Sequence, residues 1–255
     1  MTRHLATCLL AATLAAPAAF AQDAASGDAC PVAEFTMGLR FQQQSAEIRA
    51  LQLQAYNIAT ERLDAAVAAA DDPSKLAIVT DLDETVIDNT ALLARDLANC
   101  HIYDAWDTWL PWERDGQPVL IPGAKEFLDH ADSLGVAIRY VSDRADEQKD
   151  HTLATLEDLG LPQVSADTVL LLGPPKVERR EIVSAAHQII LLLGDTLHDF
   201  DGRFRKTPLE DQKATVAEEA AKWGTEWIVF PNASYGDWSD APLTAWDAET
   251  VIEEW

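Results

Sequence analysis

Short apolar runs that end in polar residues recur through the middle of the chain. Each run is four to six residues long and is rich in Val, Ile and Leu. Such runs are typical of the central strands of a parallel sheet, because those strands are buried on both faces. The runs occupy residues 76–79, 136–141, 169–172 and 189–193.

Helical patterns lie between these runs, at residues 123–134, 147–159 and 176–186. Strands that alternate with helices predict a doubly wound α/β fold with a parallel sheet. Ligands bind to such sheets at the carboxyl ends of the strands. The polar residues that follow each run are therefore candidates for a functional site.

The segments around this alternation predict further elements. Residues 36–70 contain no proline and carry apolar residues at steps of three and four, which predicts one long helix or two joined helices. Residues 90–120, with three closely spaced tryptophans, are predicted to form a small inserted cap. A last strand is predicted at 227–230. We expect a tail with a helical extension at 22–70 and a main domain at 71–255 that contains the cap.

Residues 1–21 have the pattern of a secretory signal peptide. Arg3 precedes an apolar stretch at 5–14, and Ala-Phe-Ala at 19–21 supplies a cleavage site. The stretch is too short to favour a membrane-spanning helix. Cys8 lies before the end of the apolar stretch, whereas a lipid anchor needs a Cys after it. We expect a soluble exported protein, periplasmic or extracellular, with outer-membrane association as the alternative.

Acidic residues outnumber basic residues by more than two to one. The chain has 43 Asp and Glu against 19 Lys and Arg, which gives a formal net charge of −24. A field of this sign repels polyanions, so nucleic acid polymers and anionic membranes are not expected as partners. A small anionic phosphate ester would need local positive charge, from a bound metal ion and a few basic side chains.

Two cysteines, Cys30 and Cys100, follow the predicted signal peptide. In an oxidising compartment this pair can form a disulfide. Two free buried thiols are the alternative, and the sequence leaves this choice open. It also leaves the choice between a monomer and a homodimer open.

The strongest chemical signal is Asp81-Leu82-Asp83, which follows the first apolar run. A carboxylate in line with a phosphorus atom can attack it and form an aspartyl phosphate. The attack brings two anions together, so a hard cation such as Mg²⁺ is expected beside Asp81. Asp83 can protonate the leaving oxygen and later activate water. A glycosidase also uses two carboxylates, but it would not need the other strand ends.

Two later strand ends supply groups that can hold a phosphate. Ser142 can donate a hydrogen bond to a phosphate oxygen, or it can cap the following helix. Lys176 can neutralise the charge of the pentavalent transition state. Arg179 and Arg180 are alternative cations nearby.

The run at 189–193 leads to two further acidic residues. Asp195 follows Gly194 and can complete the carboxylate set of a metal ion. Asp199 lies one helical turn later and can reach the metal through water. Its alternative is a first-turn acid that the helix dipole favours.

The order Asp-x-Asp, Ser, Lys and Gly-Asp-x-x-x-Asp resembles that of the haloacid dehalogenase (HAD) superfamily. The chain is similar in particular to the class C bacterial acid phosphatases, also known as the outer-membrane lipoprotein 5′-nucleotidase family. The resemblance covers nearly the whole chain after the signal peptide. Its motifs lie at residues 43–47, 54–56, 81–89, 121–124, 140–144, 194–200 and 231–238.

The resemblance implies a HAD-like, Rossmannoid sheet and a Mg²⁺-dependent phosphoric monoester hydrolase. Asp81 would be the nucleophile and Asp83 the general acid and base. The Asp81 carboxylate, the Asp83 main-chain carbonyl and the Asp195 carboxylate would bind Mg²⁺. Ser142 and Lys176 would hold the phosphoryl group.

The resemblance also implies nucleoside monophosphates and aryl phosphates as substrates, often with an acidic pH optimum. Tyr235 matches the aromatic residue of the family's substrate loop, so a base or aryl ring would stack on it, with Tyr103 or Trp106 on the other face. Burial in the cap or core is the alternative for each aromatic residue.

Two departures from the family pattern stand out. Many relatives have Asn where this chain has Asp143, and an anion facing the phosphate there would weaken binding or lower the pH optimum. The anchor Cys that typically follows the signal peptide has no counterpart in the predicted position. The resemblance therefore does not carry membrane anchoring over to this chain.

Together these features predict a secreted acid phosphatase or 5′-nucleotidase that acts on small phosphomonoesters. One alternative is a HAD phosphatase with a non-nucleotide substrate. Another is a surface or periplasmic nucleotide- or haem-binding protein with residual activity, which would have no use for both Asp81 and Asp83. A third is a structural Mg²⁺ or Ca²⁺ site in an adhesin, which would leave Ser142 and Lys176 unexplained.

Overall fold

A computed structural model of the chain describes residues 30, 32–102 and 106–244. The predicted signal peptide at 1–21 and Tyr103 lie outside these residues and stay predictions. Cys30 and Cys100 are both disulfide-bonded, so the oxidised alternative is the one that the structure contains.

Strands form two sheets in the part of the chain that the structure describes. The strands are β1 (Leu76–Thr80), β2 (Ile87–Asp88), β3 (Val119–Leu120), β4 (Ala137–Val141), β5 (Val169–Leu170), β6 (Gln188–Gly194) and β7 (Trp227–Val229). The main sheet has the order β5-β4-β1-β6-β7, and all of its pairs are parallel. Each of its strands lies within two residues of the predicted bounds. β2 and β3 pair antiparallel in a small second sheet.

Helices accompany the strands on either side. They are α1 (Thr36–Gln44), α2 (Ala46–Ala69), α3 (Thr90–Ala98), α4 (Trp109–Asp115), α5 (Ala124–Ser133), α6 (Lys149–Asp158), α7 (Lys176–Ser184) and α8 (Leu209–Glu218). The three helices predicted between the strands are found as α5, α6 and α7. α8 was not predicted, because it buries only Gln212 and so has no apolar stripe in its sequence. None of the described helices has both the length and the apolar composition that crossing a membrane would require.

The side chains of β1 alternate between two hydrophobic cores. Leu76 and Ile78 pack in one core with residues of α2 and α5. Ala77 and Val79 pack in the other core with Val183 of α7. Because helices cover both faces of a parallel sheet, the predicted doubly wound α/β fold is confirmed.

The central position of β1 brings the predicted site residues to one edge. β1 pairs with β4 on one side and with β6 on the other. Asp81 follows β1, Ser142 follows β4 and Asp195 follows β6. The main-chain N–H of Asp81 donates to the carbonyl of Leu193 at 2.9 Å, which ties this edge together.

The N-terminal helical segment consists of two helices that meet at Ser45. Ser45 has an extended backbone, with φ −78° and ψ 145°, and its side chain accepts a hydrogen bond from the N–H of Ile48 at 3.1 Å. Ser45 is thus the N-cap of α2, which explains why the helical pattern is interrupted there. Of the two alternatives left open by the sequence, two joined helices is correct.

The segment predicted as a cap contains α3 and α4. β2 and β3 flank it and pair through Ile87 and Leu120. The two ends of the segment therefore lie next to each other, where β2 and β3 pair. Its helix α4 carries Trp109 and Trp112, two of the three tryptophans that prompted the prediction.

The packing of α2 on the sheet predicts a contrast between two leucines of that helix. Leu63 is fully buried in the main core, whereas Leu53 is 44% exposed. Leu63→Ala should lower the free energy of unfolding by about 2–5 kcal/mol. Leu53→Ala should change it by about 0.5 kcal/mol. Urea unfolding of both variants measures the difference, and equal losses would contradict the packing described here.

Candidate active site

Lys176 lies between two carboxyl groups at the strand-end edge. It is the first residue of α7, and its Nζ lies 2.5 Å from Oδ1 of Asp81 and 2.6 Å from Oδ1 of Asp199. All three side chains are buried. Burial alone would lower the pKa of Lys176, but the carboxylates of Asp199, Asp81 and Asp143 raise it above its ordinary value. The ammonium group is therefore a fixed positive charge beside the predicted nucleophile.

The two alternative cations are used elsewhere. Arg179 donates to the main-chain carbonyl of Ser142 at 2.5 Å and to the carboxylate of Asp143. Arg180 donates to the main-chain carbonyl of Asp199 at 2.7 Å. Both arginines therefore hold loops in place, and it is Lys176 that contacts the predicted nucleophile.

Three aspartates form a group that can hold a metal ion. Carboxylate oxygens of Asp81, Asp195 and Asp199 all lie within 4.8 Å of one another. Burial raises the pKa of Asp81 to about 7, and the charges of Asp199 and Asp83 add to this effect against the opposing charge of Lys176. Burial, Asp199 and Asp81 also raise the pKa of Asp195 well above its ordinary value. Crowded, buried oxygen ligands of this kind fit a hard divalent cation.

Asp199 also makes local hydrogen bonds in the turn that follows β6. Its Oδ2 accepts hydrogen bonds from the N–H and the hydroxyl of Thr196, at 3.0 and 2.9 Å, and so closes the single turn Leu197–Asp199. A Cβ at Gly194 would lie 2.3 Å from this carboxyl group. The close approach explains the glycine in Gly-Asp-x-x-x-Asp.

The carboxyl group of Asp83 is held on several sides. Arg144 donates from Nε to both oxygens, at 3.0 and 3.2 Å, and its Nη2 forms an ion pair with Oδ1 at 2.9 Å. Asn89 donates from Nδ2 to Oδ1 at 2.9 Å, and the hydroxyl of Ser142 donates to Oδ2 at 3.2 Å. Asp83 is thus fixed beside the group that contains Asp81.

Ser142 does not cap a helix. Its hydroxyl accepts a hydrogen bond from the N–H of Arg144 at 3.1 Å, two residues later, in a local turn. The N-cap of the helical turn that follows is Ala145, which makes no side-chain capping bond. The hydroxyl instead faces Asp83, on the strand-end edge where the sequence predicted it.

The charge of Asp143 is compensated. Its carboxylate accepts a hydrogen bond from Arg179, and Nε2 of His198 lies 3.6 Å from Oδ2. Burial alone would raise the pKa of Asp143, but His198, Lys176 and Arg179 hold it well below its ordinary value. An anion at this position is therefore paired rather than left to repel a phosphate.

Aromatic side chains form one wall of the site. The ring of Tyr235 lies edge-on to those of Trp106 and Trp109, with centroid distances of 5.7 and 5.9 Å. Since Trp106 and Tyr235 contact each other directly, a substrate ring would lie against one of them rather than between them. The Tyr235 hydroxyl donates to Glu84, a buried residue whose pKa is raised to about 8, mainly by burial.

Two neighbouring cavities adjoin this aromatic wall. A catalytic cleft of about 400 Å³ is lined by Asp81, Asp83 and Lys176 together with the aromatic residues. A neighbouring cavity of about 440 Å³ lies beyond them. Trp106 and Tyr235 line both cavities, together with Asp195, Thr196 and His198.

Comparison with known proteins identifies the family. The family model described as HAD superfamily, subfamily IIIB (Acid phosphatase), matches residues 14–238 of the chain. The chain belongs to this family. It is therefore an acid phosphatase, a hydrolase of phosphoric monoesters.

Solved structures of a class C acid phosphatase from Bacillus anthracis are similar to this phosphatase. One, with tungstate bound, has 37% sequence identity and a TM-score of 0.77, over 82% of this chain and 88% of that chain. The other has 38% identity and a TM-score of 0.76, over 80% of this chain and 86% of that chain. The family resemblance and the fold class predicted from the sequence are thus confirmed.

The predicted residues of the phosphatase lie at one place in the structure. Five of them lie at the strand-end edge, on loops that follow β1, β4 and β6 or at the start of α7. They are Asp81, Asp83, Ser142, Lys176 and Asp195. Tyr235 lies in the adjoining aromatic wall. The chemical roles of these residues, including a metal contact from the Asp83 main-chain carbonyl, stay predictions.

Sequence reasoning assigned no role to several residues that hold the site together. These are Glu84, Asn89, Trp109, Arg144 and His198. Four of them lie in motifs at 81–89, 140–144 and 194–200, so their positions carried a signal. Most of their partners could not be predicted, because the contacts of Arg144, His198 and Trp109 join segments that are distant in sequence.

The raised pKa of Asp195 predicts how metal-free protein responds to pH. The Asp195 carboxyl group has a higher pKa in the folded protein than in the unfolded chain. Its contribution to the stability of the fold is therefore fully present below about pH 4, and it is lost as pH rises through the folded-state pKa. The Asp195→Asn variant cannot ionise at residue 195. Without metal, its Tm should therefore be higher than that of the wild type at pH 7 and equal to it at pH 4. Mg²⁺ should raise the Tm of the wild type but not of the variant.

Thermal unfolding in EDTA, followed by circular dichroism, measures both effects. Asp158→Asn, at an exposed position on α6, is the matched control and should melt with the wild type at both pH values. A metal-free Asp195→Asn protein that melts below the wild type at pH 7 would contradict the crowding of carboxylates described here.

Proposed function

We propose that this phosphatase is an exported, Mg²⁺-dependent enzyme that hydrolyses 5′-nucleotides and aryl phosphates through an aspartyl phosphate on Asp81. One observation carries the proposal. The buried carboxyl group of Asp81 contacts the Lys176 ammonium at 2.5 Å and lies beside Asp195, at the carboxyl end of a central parallel strand. A nucleophilic carboxylate needs such compensation when it approaches a phosphate.

In the first step an Asp81 oxygen attacks the phosphorus atom and the bond to the leaving oxygen breaks. Lys176 stabilises the negative charge that spreads over the phosphoryl oxygens. The Ser142 hydroxyl, which donates to Asp83 in the structure, turns to a phosphoryl oxygen. The products of this step are the free alcohol or phenol and the aspartyl phosphate.

Asp83 handles the protons in both steps. It donates a proton to the leaving oxygen in the first step and accepts one from the attacking water in the second. The water then releases inorganic phosphate and restores the Asp81 carboxylate. Arg144 and Asn89, which hold both oxygens of Asp83, keep this group aligned during the cycle.

The metal ion of the proposal is Mg²⁺, held by the carboxylates of Asp81 and Asp195 and by the Asp83 main-chain carbonyl. The group of oxygen ligands within 4.8 Å, and the raised pKa values of Asp81 and Asp195, support a divalent cation at this place. When bound, the ion supplies positive charge against the phosphate and the nucleophile. Oxygen ligands alone, without His or Cys, favour Mg²⁺ over softer metals.

The aromatic wall supports substrates with an aromatic leaving group. A nucleoside or aryl group can lie against Tyr235 or Trp106 and extend into the neighbouring cavity of about 440 Å³. This volume is within the ordinary range for small-molecule sites. The tungstate bound to the phosphatase from Bacillus anthracis is a tetrahedral oxyanion like phosphate, which supports phosphate binding in the same fold.

The proposed location outside the cytoplasm is based on the signal-peptide pattern at residues 1–21. The disulfide-bonded state of Cys30 and Cys100 supports it, because disulfides persist in oxidising compartments. A periplasmic or extracellular enzyme that meets small phosphomonoesters is the form that we propose. Neither a membrane anchor nor a second subunit is needed for the site as described.

Replacement of the nucleophile tests the proposal. Asp81→Asn should lower the turnover of every phosphomonoester by at least about three orders of magnitude, because an amide cannot form the acyl phosphate. Initial rates of phosphate release measure this loss. The control is Asp129→Asn, at an exposed salt bridge to Lys125, which should keep wild-type rates. Retained turnover in Asp81→Asn would falsify the nucleophile.

The acid role of Asp83 predicts a dependence on the leaving group. Asp83→Asn should lower kcat/KM for alkyl phosphates by roughly 10²–10⁴-fold, because an alkoxide needs a proton in order to leave. Nitrophenyl phosphate should lose much less, because nitrophenolate leaves without one. Steady-state rates on both substrates give the comparison, and equal losses would count against the acid role.

A further inference from the structure

Glu84 is a buried acidic residue that the proposed reaction does not use. It follows Asp83 directly and has no exposed surface. Its φ of 55° lies in the left-handed region, which is unfavourable for a residue with a Cβ. Glycine would remove this strain. The role of Glu84 therefore depends on the contacts of its side chain.

The Glu84 carboxyl group joins two parts of the active site. Its Oε1 accepts hydrogen bonds from the main-chain N–H and the Nδ2 of Asn89, at 2.9 and 3.3 Å. Its Oε2 accepts a hydrogen bond from the hydroxyl of Tyr235, 151 residues away in the sequence. A single carboxyl group thus connects the loop after β1 to the loop after β7.

Asn89 extends this connection to the acid and to the cap. Its Nδ2 also donates to Asp83 at 2.9 Å, and its Oδ1 accepts from Nε1 of Trp112 at 2.7 Å and from Arg144 at 3.3 Å. The hydrogen bonds to Glu84 fix which way the Asn89 amide faces. The part of the network around Asp83 is therefore already rigid, and Glu84 attaches Tyr235 to it.

Tyr235 is the less constrained end of this connection. It lies on a loop, and its ring has edge-on contacts with Trp106 and Trp109, of which Trp106 is 50% exposed. Each edge-on aromatic contact of this kind contributes only modestly to holding a ring in place. The hydroxyl bond to Glu84 therefore contributes much of what orients the ring between the two cavities.

We propose that Glu84 is a positioning residue that holds Tyr235 against the leaving group and so sets the preference of the phosphatase for aromatic leaving groups. The inference rests on the proposed function, in which Tyr235 contacts the leaving group. It adds that this recognition depends on the hydrogen bond that Tyr235 donates to Glu84 in the loop after β1. Glu84 itself touches neither phosphate nor leaving group.

The test uses two substrates that differ in the ring but not in the leaving chemistry. 2-Phenylethyl phosphate and n-butyl phosphate both release a primary alcohol, so the ratio of their kcat/KM values reports ring recognition alone. In the wild type the ratio should favour the phenylethyl substrate. Tyr235→Phe keeps the ring but removes the hydroxyl, and Glu84→Ala removes the acceptor. Each should lower the ratio by about fivefold, the value of one net hydrogen bond.

Two further variants separate positioning from general damage. Glu84→Gln keeps an acceptor for Asn89 and a polar partner for Tyr235, so it should keep most of the wild-type ratio. The double variant, Tyr235→Phe with Glu84→Ala, should lose no more than either single variant, because both remove the same bond. Tyr140→Phe removes another buried tyrosine hydroxyl, which bonds Pro162, and should leave the ratio unchanged.

An unchanged ratio in folded Tyr235→Phe would overturn the proposal, and so would equal losses on both substrates or additive losses in the double variant. A wild type without any preference for the ring would also overturn it. If Glu84→Ala does not fold, Tyr235→Phe and Glu84→Gln carry the test. Failure of the proposed function would appear differently, as hydrolysis of both substrates by Asp81→Asn.

Discussion

The buried ammonium group of Lys176 lies between the carboxylates of Asp81 and Asp199. The carboxyl groups of Asp81, Asp195 and Asp199, two buried and one partly buried, lie close enough to repel one another, and burial itself disfavours their charged forms. The chain as a whole has a formal net charge of −24, so the positive charge that offsets this repulsion has to come from a specific basic residue. Lys176 compensates part of the negative charge, while burial and the neighbouring carboxylates keep the pKa values of Asp81 and Asp195 raised.

The parallel sheet is what brings these groups together. β1 and β6 are neighbours, so Asp81 and Asp195 leave the same edge side by side. Lys176 approaches from the start of α7, the helix that covers one face of β1. Local features complete the arrangement, since Gly194 allows Asp199 to approach closely. The fold therefore supplies proximity, and individual residues supply the charge balance.

Much of this could be predicted from the sequence, because the signals are local. Each central strand is a short apolar run, and the residue that follows it is at the sheet edge in any parallel sheet. Asp81, Ser142 and Asp195 were therefore predictable by position alone. The break at Ser45 was predictable only as an alternative, since one capping side chain decides it.

Other features depend on contacts that no local pattern encodes. Arg144 and Asn89 hold Asp83 from different loops, and the bond between Glu84 and Tyr235 joins residues that are 151 positions apart. α8 packs without an apolar stripe. The compensation of Asp143 by Arg179 and His198 likewise emerges only once β4, α7 and the turn after β6 are assembled.

The account depends above all on Asp81 as the residue that receives the phosphoryl group. The most direct measurement mixes the enzyme rapidly with substrate, quenches it in acid and finds the phosphorylated peptide by mass spectrometry. The account predicts one phosphoryl group on Asp81, formed no more slowly than turnover and lost again when substrate is exhausted. A phosphoryl group on another residue would contradict the account. So would a burst of alcohol release, which indicates a covalent intermediate, without any phosphoryl group on Asp81.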